Sequence, residues 1–574
     1  MIAAASYIPI VFGLFYLVIY EGKRQQIVYA GIALALQLLV GYQTMAMYTL
    51  DAVGIMLVFA LVRFRSLKPI GRTLAAGIIA LGLSAVQLLP ESEFIRNSIR
   101  TFDLPYSWTA RTSMPVDVLR LFLRPFFYGN QRTYAGPWPN LAEYFGYIGV
   151  VPFALAVVAI LWVIEKRHKG RATRLILVAI AVFGVWMSLG SNAPLDLLRL
   201  FWQTVPLYHA TRIPSRHLIL TVFGLSALAA VGLQRLRNRA LQIIVAAVIL
   251  FELVPFARSF MELNDVPERR HDPELVALLS PPPRCKDVST SGVKLGDEGT
   301  CTLSRILPNF GVWLPPRDSL DFDSAMSYRF FSTTGYDPSI LRNYYEFIDA
   351  VNGSVEPSIL EHDVQVPYLD VFSRYTDFLN VRYVFVPPWA DPLGGVTTER
   401  FSLIREDTDR QYRLYENNNV LPRFFLVPHI TILPDRNAVA QAIREGREDP
   451  STTVLVSEQD LPQDTYPLNC SDTDERSLRV ISYSPNAISL NIDTPCNAIL
   501  ASSEVMYPGW EAWIDGKKSL LFEGNLAFRT LYVPEGSHTI VIRYNPRIFA
   551  LGGMVSLLTL VACIIVLRFN PSSR

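Results

Sequence analysis

Several familiar signatures of enzyme chemistry are missing from this chain. No glycine-rich loop suited to cradling phosphates occurs, which argues against ATP-driven chemistry, and no paired His/Cys spacing marks a metal centre. No internal repeat of useful length is present, which disfavours a transporter built from duplicated halves. Neither sign of charge is in excess: 52 Lys and Arg stand against 51 Asp and Glu, a net charge of +1 that argues against nucleic acid as partner. Charged residues make up only 18% of the chain, and five cysteines are spread over 574 residues. The first apolar run lacks a basic leader, and its small residues Ala3, Ala4 and Ala5 precede the apolar core, so it reads as a retained helix and not a cleaved signal.

What is abundant is apolar. At 51% hydrophobic residues and a mean hydropathy of +0.26, the composition is that of a polytopic membrane protein with a sizeable soluble part. Apolar stretches predict nine transmembrane helices, at 3–20, 27–41, 45–62, 73–90, 143–164, 175–190, 214–234, 241–257 and 548–567. Basic clusters at 23–24, 63–72, 166–174, 235–239 and 568–574 fall on every second connection, and a single orientation makes all of them cytoplasmic. That orientation places the N-terminus, the loops 91–142 and 191–213, and the whole of 258–547 outside the cytoplasm. Cys285, Cys301, Cys470 and Cys496 all lie in the exported segment, and Cys563 lies within the last span. Disulfides persist in such a compartment, and the local pairing Cys285 with Cys301 and Cys470 with Cys496 is preferred among three connectivities.

The expected architecture is an α-helical bundle over 1–257, a mixed α/β region over 258–450, a β-sandwich over 451–547, and a closing helix with a tail over 548–574. Turn sequences at Asp515-Gly516 and Pro534-Glu535-Gly536 separate alternating strands in the sandwich. Its aromatics Trp510 and Trp513, with Tyr507 and Tyr532, are candidates to stack on sugar faces or to pack the core. Three positions apart in an unbroken strand, Trp510 and Trp513 would face opposite ways.

These residues carry a resemblance. The segments Gly41-Tyr42-Gln43, Gln87-Leu88-Leu89-Pro90, Tyr147-Ile148-Gly149-Val150-Val151-Pro152 and Arg212-Ile213-Pro214-Ser215-Arg216 belong to it. So do Gly335-Tyr336-Asp337-Pro338, Leu379-Asn380-Val381-Arg382-Tyr383, Glu416-Asn417, Leu421-Pro422-Arg423 and the closing Pro508-Gly509-Trp510 with Asp515-Gly516. In their order and spacing they resemble the YfhO family of bacterial multi-spanning membrane proteins, a branch related to the GT-C glycosyltransferases. The resemblance implies inverting transfer of a sugar from a polyprenyl-phosphate donor to an envelope glycan, polymer or protein. Such chemistry needs a carboxylate, to activate the acceptor or to hold a divalent metal ion, and cations for the departing phosphate. GT-C enzymes carry their main acid in the first external loop after the first span, and here the chain opens outside. The expectation is therefore an N-terminally incomplete gene product. The alternative is a non-catalytic envelope protein that binds glycan or assembles with a partner transferase.

Near the implied site, Glu91 and Glu93 follow Pro90 and are trailed by Arg96 and Arg100. Continued helix would put Glu93, Arg96 and Arg100 on one side, a layout for a phosphate-sugar headgroup. The competing reading is a solvated helix end. His209, Arg212, Arg216 and His217 gather where a span begins at Pro214, and a helix N-terminus with two arginines suits a lipid phosphate or plain headgroup anchoring. Asp51, one turn from Tyr48, is a further acid candidate. Gln37, Gln43, Gln87 and Glu252 are expected to face the bundle interior or to bond between helices.

Overall fold

The computed structural model describes residues 2–101, 105–130, 133–137, 141–162, 170–205, 208–209, 211–259, 275, 278–279, 293–294, 303–308, 330–333, 335, 339–353, 369–409, 411–462 and 467–568. Cys285 and Cys301 lie outside them. The chain forms two compact units: Met1–Ser92, Phe102–Leu263 and Ile548–Arg574 make a helical unit, and Glu93–Thr101 with Asn264–Arg547 make a β-rich one.

Six helices of the first unit are long and apolar enough to cross a membrane: Ile2–Tyr20, Gln43–Phe64, Arg171–Asn192, Pro214–Gln234, Arg239–Arg258 and Arg547–Arg568. A seventh arises if Lys68–Leu83 and Ala85–Arg96, bent by 78° at Ser84, count as one span. The expected nine therefore become six or seven among the described residues. Arg24–Leu39 has 16 residues and Val150–Leu161 has 12. At 1.5 Å per residue they measure about 24 and about 18 Å, short of the roughly 30 Å hydrocarbon core.

The bend is built from identifiable contacts. Ser84 Oγ donates back to the Ala80 carbonyl at 2.6 Å, and the closing helix supplies Ser556, whose Oγ accepts from the Val86 N–H at 3.0 Å and donates to the Gly82 carbonyl at 3.1 Å. Backbone groups freed at the break are thereby satisfied within the bilayer region. The approach requires a glycine, because a Cβ on Gly552 would stand 2.5 Å from the Ala85 carbonyl oxygen. Gly552→Val is expected to lower stability in detergent by about 1–3 kcal/mol. Gly553→Ala, with nothing within 4 Å of its Cβ position, should leave the melting temperature unmoved; equal melting of the two variants would refute the close packing.

Polar side chains inside the spans join helices. Gln37 donates to the Ala4 carbonyl at 3.0 Å and to Thr49 Oγ1 at 2.8 Å, tying three helices together. Glu252 accepts from the Tyr147 hydroxyl at 2.6 Å and from the Val150 and Val151 N–H groups at 2.5 and 3.3 Å, capping the helix Val150–Leu161. Gly149, at φ 98°, turns the chain so that these N–H groups converge on the carboxylate. The Tyr-Ile-Gly-Val-Val-Pro segment is thus a helix-capping device.

In the second unit, one antiparallel sheet has the order Val293–Lys294, Ser477–Ser484, Ala487–Thr494, Gly536–Tyr544, Trp510–Ile514, Lys517–Ser519. A second has the order Phe522–Gly524, Phe528–Val533, Ala498–Ser502, Phe424–Val427. The alternating residues Ile488, Leu490, Ala512, Ile540 and Ile542 of the first share one buried cluster with Phe424, Leu426, Leu500, Leu531 and Val533 of the second, so the sheets pack face to face. Both sheets draw strands from either side of residue 450. His429–Leu433 and Thr453–Ser457 pair in parallel across the helix Arg436–Glu445. A five-stranded mixed sheet, Phe331–Ser332, Arg305–Pro308, Val381–Val386, Tyr412–Asn417, Phe401–Asp407, completes the unit.

Several recurring motifs are joints of these sheets. Asn380, at φ 61°, donates to the Leu421 carbonyl at 2.7 Å, Arg382 bonds Glu416 at 2.9 Å, and Asn417 donates to Asp377 at 2.7 Å. Asp515 accepts from the Thr539 N–H at 2.8 Å and lies 2.6 Å from His538, which ties the Asp515-Gly516 turn to the neighbouring strand. Cys470 and Cys496 form a disulfide.

Candidate functional site

Where the helix Gln43–Phe64 begins, the residues just before and within its first turns meet the start of the span Pro214–Gln234. Arg216 lies against Glu143 as a fork, Nε to Oε2 at 2.8 Å and Nη2 to Oε1 at 2.6 Å, and its Nη1 donates to the Tyr42 hydroxyl. Next in sequence to Tyr42, Gln43 donates to Glu91 Oε2 at 2.6 Å. Further down the same helix, Asp51 Oδ2 accepts from the Tyr208 hydroxyl at 2.8 Å. Burial first, and then the Asp51 charge, push the Tyr208 hydroxyl far above its ordinary value, so it remains a donor. His217 lies between the Tyr208 hydroxyl, 3.5 Å from Nε2, and the ring of Tyr48, whose centroid is 4.2 Å away.

Two further features of this end of the bundle bear on its chemistry. The buried Tyr48 hydroxyl, Ser215 Oγ and Gln43 Oε1 have no hydrogen-bond partner among the described residues, and each such group costs about 1–3 kcal/mol if left unsatisfied. Ile213, a β-branched residue, is held at φ 66° directly before Pro214, a conformation that costs on the order of 1–3 kcal/mol and is typical of functional segments.

Asp51, Glu91 and Arg216 are therefore assembled in the helical unit, and Glu143, Tyr42 and Tyr208 complete the group. Sequence reasoning did not single out Glu143 or Tyr208. Glu143 is a lone acid in the short 3-10 helix Leu141–Tyr144, and only its fork with a residue 73 positions away marks it. Arg212 stands 5.8 Å over the Trp108 ring, and His209 is exposed and stacked on Trp202 at 4.5 Å. Glu93, Arg96 and Arg100 are not part of this group, since they belong to the β-rich unit. The helix stops at Arg96 and Arg100 sits on a separate short turn, Ile99–Thr101, so Glu93, Arg96 and Arg100 do not share one helix face. The turn is diverted because Ser98 pairs with Leu341.

Trp510 has one ring face covered by the Arg529 guanidinium at 3.8 Å, and its strand pairs with Gly536–Tyr544 without a bulge, so Trp510 and Trp513 point to opposite faces. A divalent metal does not fit the helical site. Asp51, Glu91 and Glu143 are each bonded to a different partner, and the one trio of candidate ligands among the described residues is Cys470, Asp474 and Cys496, whose sulfurs are bonded to each other.

A helical unit with six or seven apolar spans and a β-rich unit of several sheets define a polytopic membrane protein. Residues 451–556 match the family model "Bacterial membrane protein YfhO". Comparison with curated protein sequences gives no match. Among solved structures the chain is similar to the arabinofuranosyltransferase AftD from mycobacteria, at 14% identity and a TM-score of 0.33 over 91% of this chain and 45% of that one. A mutant form of the same protein has the same identity and TM-score, over 94% of this chain and 49% of that one. The chain thus spans about half the length of those structures.

Proposed function

We propose that the chain is a GT-C-like glycosyltransferase that takes sugar from a polyprenyl-phosphate carrier at the extracytoplasmic face and transfers it to an envelope glycan, polymer or protein. The observation that carries this reading is the meeting of Arg216, Glu143, Asp51 and Tyr208 with three buried polar atoms that have no partner among the described residues. In this reading the acceptor hydroxyl attacks the anomeric carbon, and the bond from that carbon to the phosphate oxygen breaks with its electron pair going to the phosphate. Arg216 and Arg212 stabilise the departing phosphate, and Asp51, oriented by Tyr208, takes the acceptor proton. The basic tail 568–574 that follows the closing span supports placing the β-rich unit, which precedes that span, on the outer side. The fork that Glu143 makes on Arg216 also favours a second reading, a binding protein in which the arginine is already neutralised.

Full-length protein in nanodiscs, incubated with polyprenyl-phosphate hexoses and pentoses and an envelope-polymer acceptor, is expected to yield glycosylated acceptor. Asp51→Asn should abolish the product while leaving the fold intact. Donor consumption by neither protein would reject transfer in favour of the binding reading.

A further inference from the structure

The β-rich unit holds a cleft of about 540 Å³, within the size range of small-ligand sites. Arg436 forms its base: it bonds Glu346 at 3.0 Å, Asp460 at 3.2 Å, Glu523 at 3.1 Å and the Leu526 carbonyl at 2.7 Å. A network with its donors engaged in this way is rigid, and it presents the Glu346 and Glu523 carboxyls at fixed positions in the lining. Arg96 is exposed at the rim and has no partner among the described residues. Tyr507 closes one side, its ring in a row with Phe94 at 6.5 Å and Tyr544 at 6.4 Å.

This lining selects a chemistry. Arginines and carboxylates nearly balance, so a polyanion would meet Glu346 and Glu523. Flat guanidinium and carboxyl groups suit pairs of neighbouring hydroxyls, and a fixed tyrosine ring suits the C–H face of a pyranose. We infer that this cleft binds a saccharide, a short stretch of glycan chain seated against Tyr507 with its hydroxyls held by Glu523 and Arg96. The inference deepens the reading of the chain as a glycan-handling protein and rests on it, naming where the polymer is held. It also gives the Tyr507-Pro508-Gly509-Trp510 motif two tasks, with Tyr507 in the cleft and Trp510 over Arg529.

Glu523 provides a second readout. Burial pushes its carboxyl up to about 7, against the attraction of Arg436 and with the repulsion of Asp460; Asn97, Asn343, Glu346, Arg342, Arg96 and the Tyr507 hydroxyl are the other polar groups in the lining. Its protonation, and with it the affinity, should change between about pH 6 and pH 8.

The test is calorimetric titration of full-length protein in nanodiscs, without donor, using maltohexaose, cellohexaose and chitotetraose as probes. Saturable binding of at least one is expected, weakened about ten-fold or more by Tyr507→Ala and by the rim variant Arg96→Ala, with a pH dependence that Glu523→Gln removes. No saturable binding of any probe at millimolar concentration, or binding that survives both Tyr507→Ala and Arg96→Ala, overturns the inference. Because no donor is present, absence of sugar transfer with intact binding rejects only the catalytic reading.

Discussion

Glu504→Gln is expected to destabilise the β-rich unit by about 3–5 kcal/mol, the cost of breaking a buried ion cluster by removing one partner. Glu504 is the shared anion of three arginines. Arg529 Nη2 approaches at 2.7 Å, Arg305 Nη2 at 3.1 Å and Arg423 Nε at 3.5 Å, with the Tyr483 hydroxyl donating at 3.2 Å. The Arg423 and Arg529 side chains are only 2% and 4% exposed, and their remaining nitrogens are covered by aromatic faces: Arg423 lies 4.1 Å over Phe331 and Arg529 3.8 Å over Trp510. Burial pushes the Glu504 carboxyl up, but Arg423, then Arg305 and Arg529, outweigh it and hold the carboxyl below its ordinary value. Burial, aided by repulsion from Arg305, lowers Arg423 to about 10, so it stays charged at neutral pH. A depressed carboxyl contributes stability that is present above the unfolded value, about 4.3, and is lost as pH falls through the folded one. Thermal unfolding of the full chain should therefore show a much lower melting temperature for Glu504→Gln at pH 7, and a gap that narrows as pH falls below 4.3. Equal melting at pH 7 would mean that the cluster contributes nothing to stability.

Arg216→Ala is expected to lower sugar transfer by about 100- to 1,000-fold, the usual effect of removing one group that stabilises charge in the transition state. Glu143→Gln should cost less, because the glutamine oxygen still accepts one of the two guanidinium bonds while the Arg216 charge remains. In the double variant the rate should stay close to that of Arg216→Ala alone, since the task of Glu143 is to position Arg216. The distinguishing readout is the split between kcat and KM: loss at Arg216 falls on kcat if phosphate departure is assisted, and on KM if the arginine only anchors the donor. Losses in the two single variants that multiply in the double variant would show that Glu143 acts independently of Arg216.

How much of this was legible beforehand differs element by element. The spans at 45–62, 175–190 and 548–567 were readable because a long apolar run has few other stable fates, and hydropathy is a property of neighbours in sequence. The helices Arg24–Leu39 and Val150–Leu161 were overcounted because composition does not report where a helix is cut short. The strand Phe424–Val427 joins Ala498–Ser502 across about 70 residues, and its alternation alone names no partner. The break at Ser84 was not legible either, since the groups that permit it, Gly552 and Ser556, lie about 470 residues away. Arg212 and Arg216 are candidates on a local signal, two arginines at a helix start, whereas Glu143 had none.

By itself the sequence determined that this chain lives in a membrane and that a β-rich segment precedes its last helix. Those properties follow from local composition and short-range periodicity. Only the tertiary structure decided which charges meet. It set Arg216 on Glu143, three arginines on Glu504, Arg436 on three carboxylates and Trp510 over Arg529. An ion pair needs its partners within a few ångströms, and that distance is fixed by the path of the whole chain and not by either residue's neighbours.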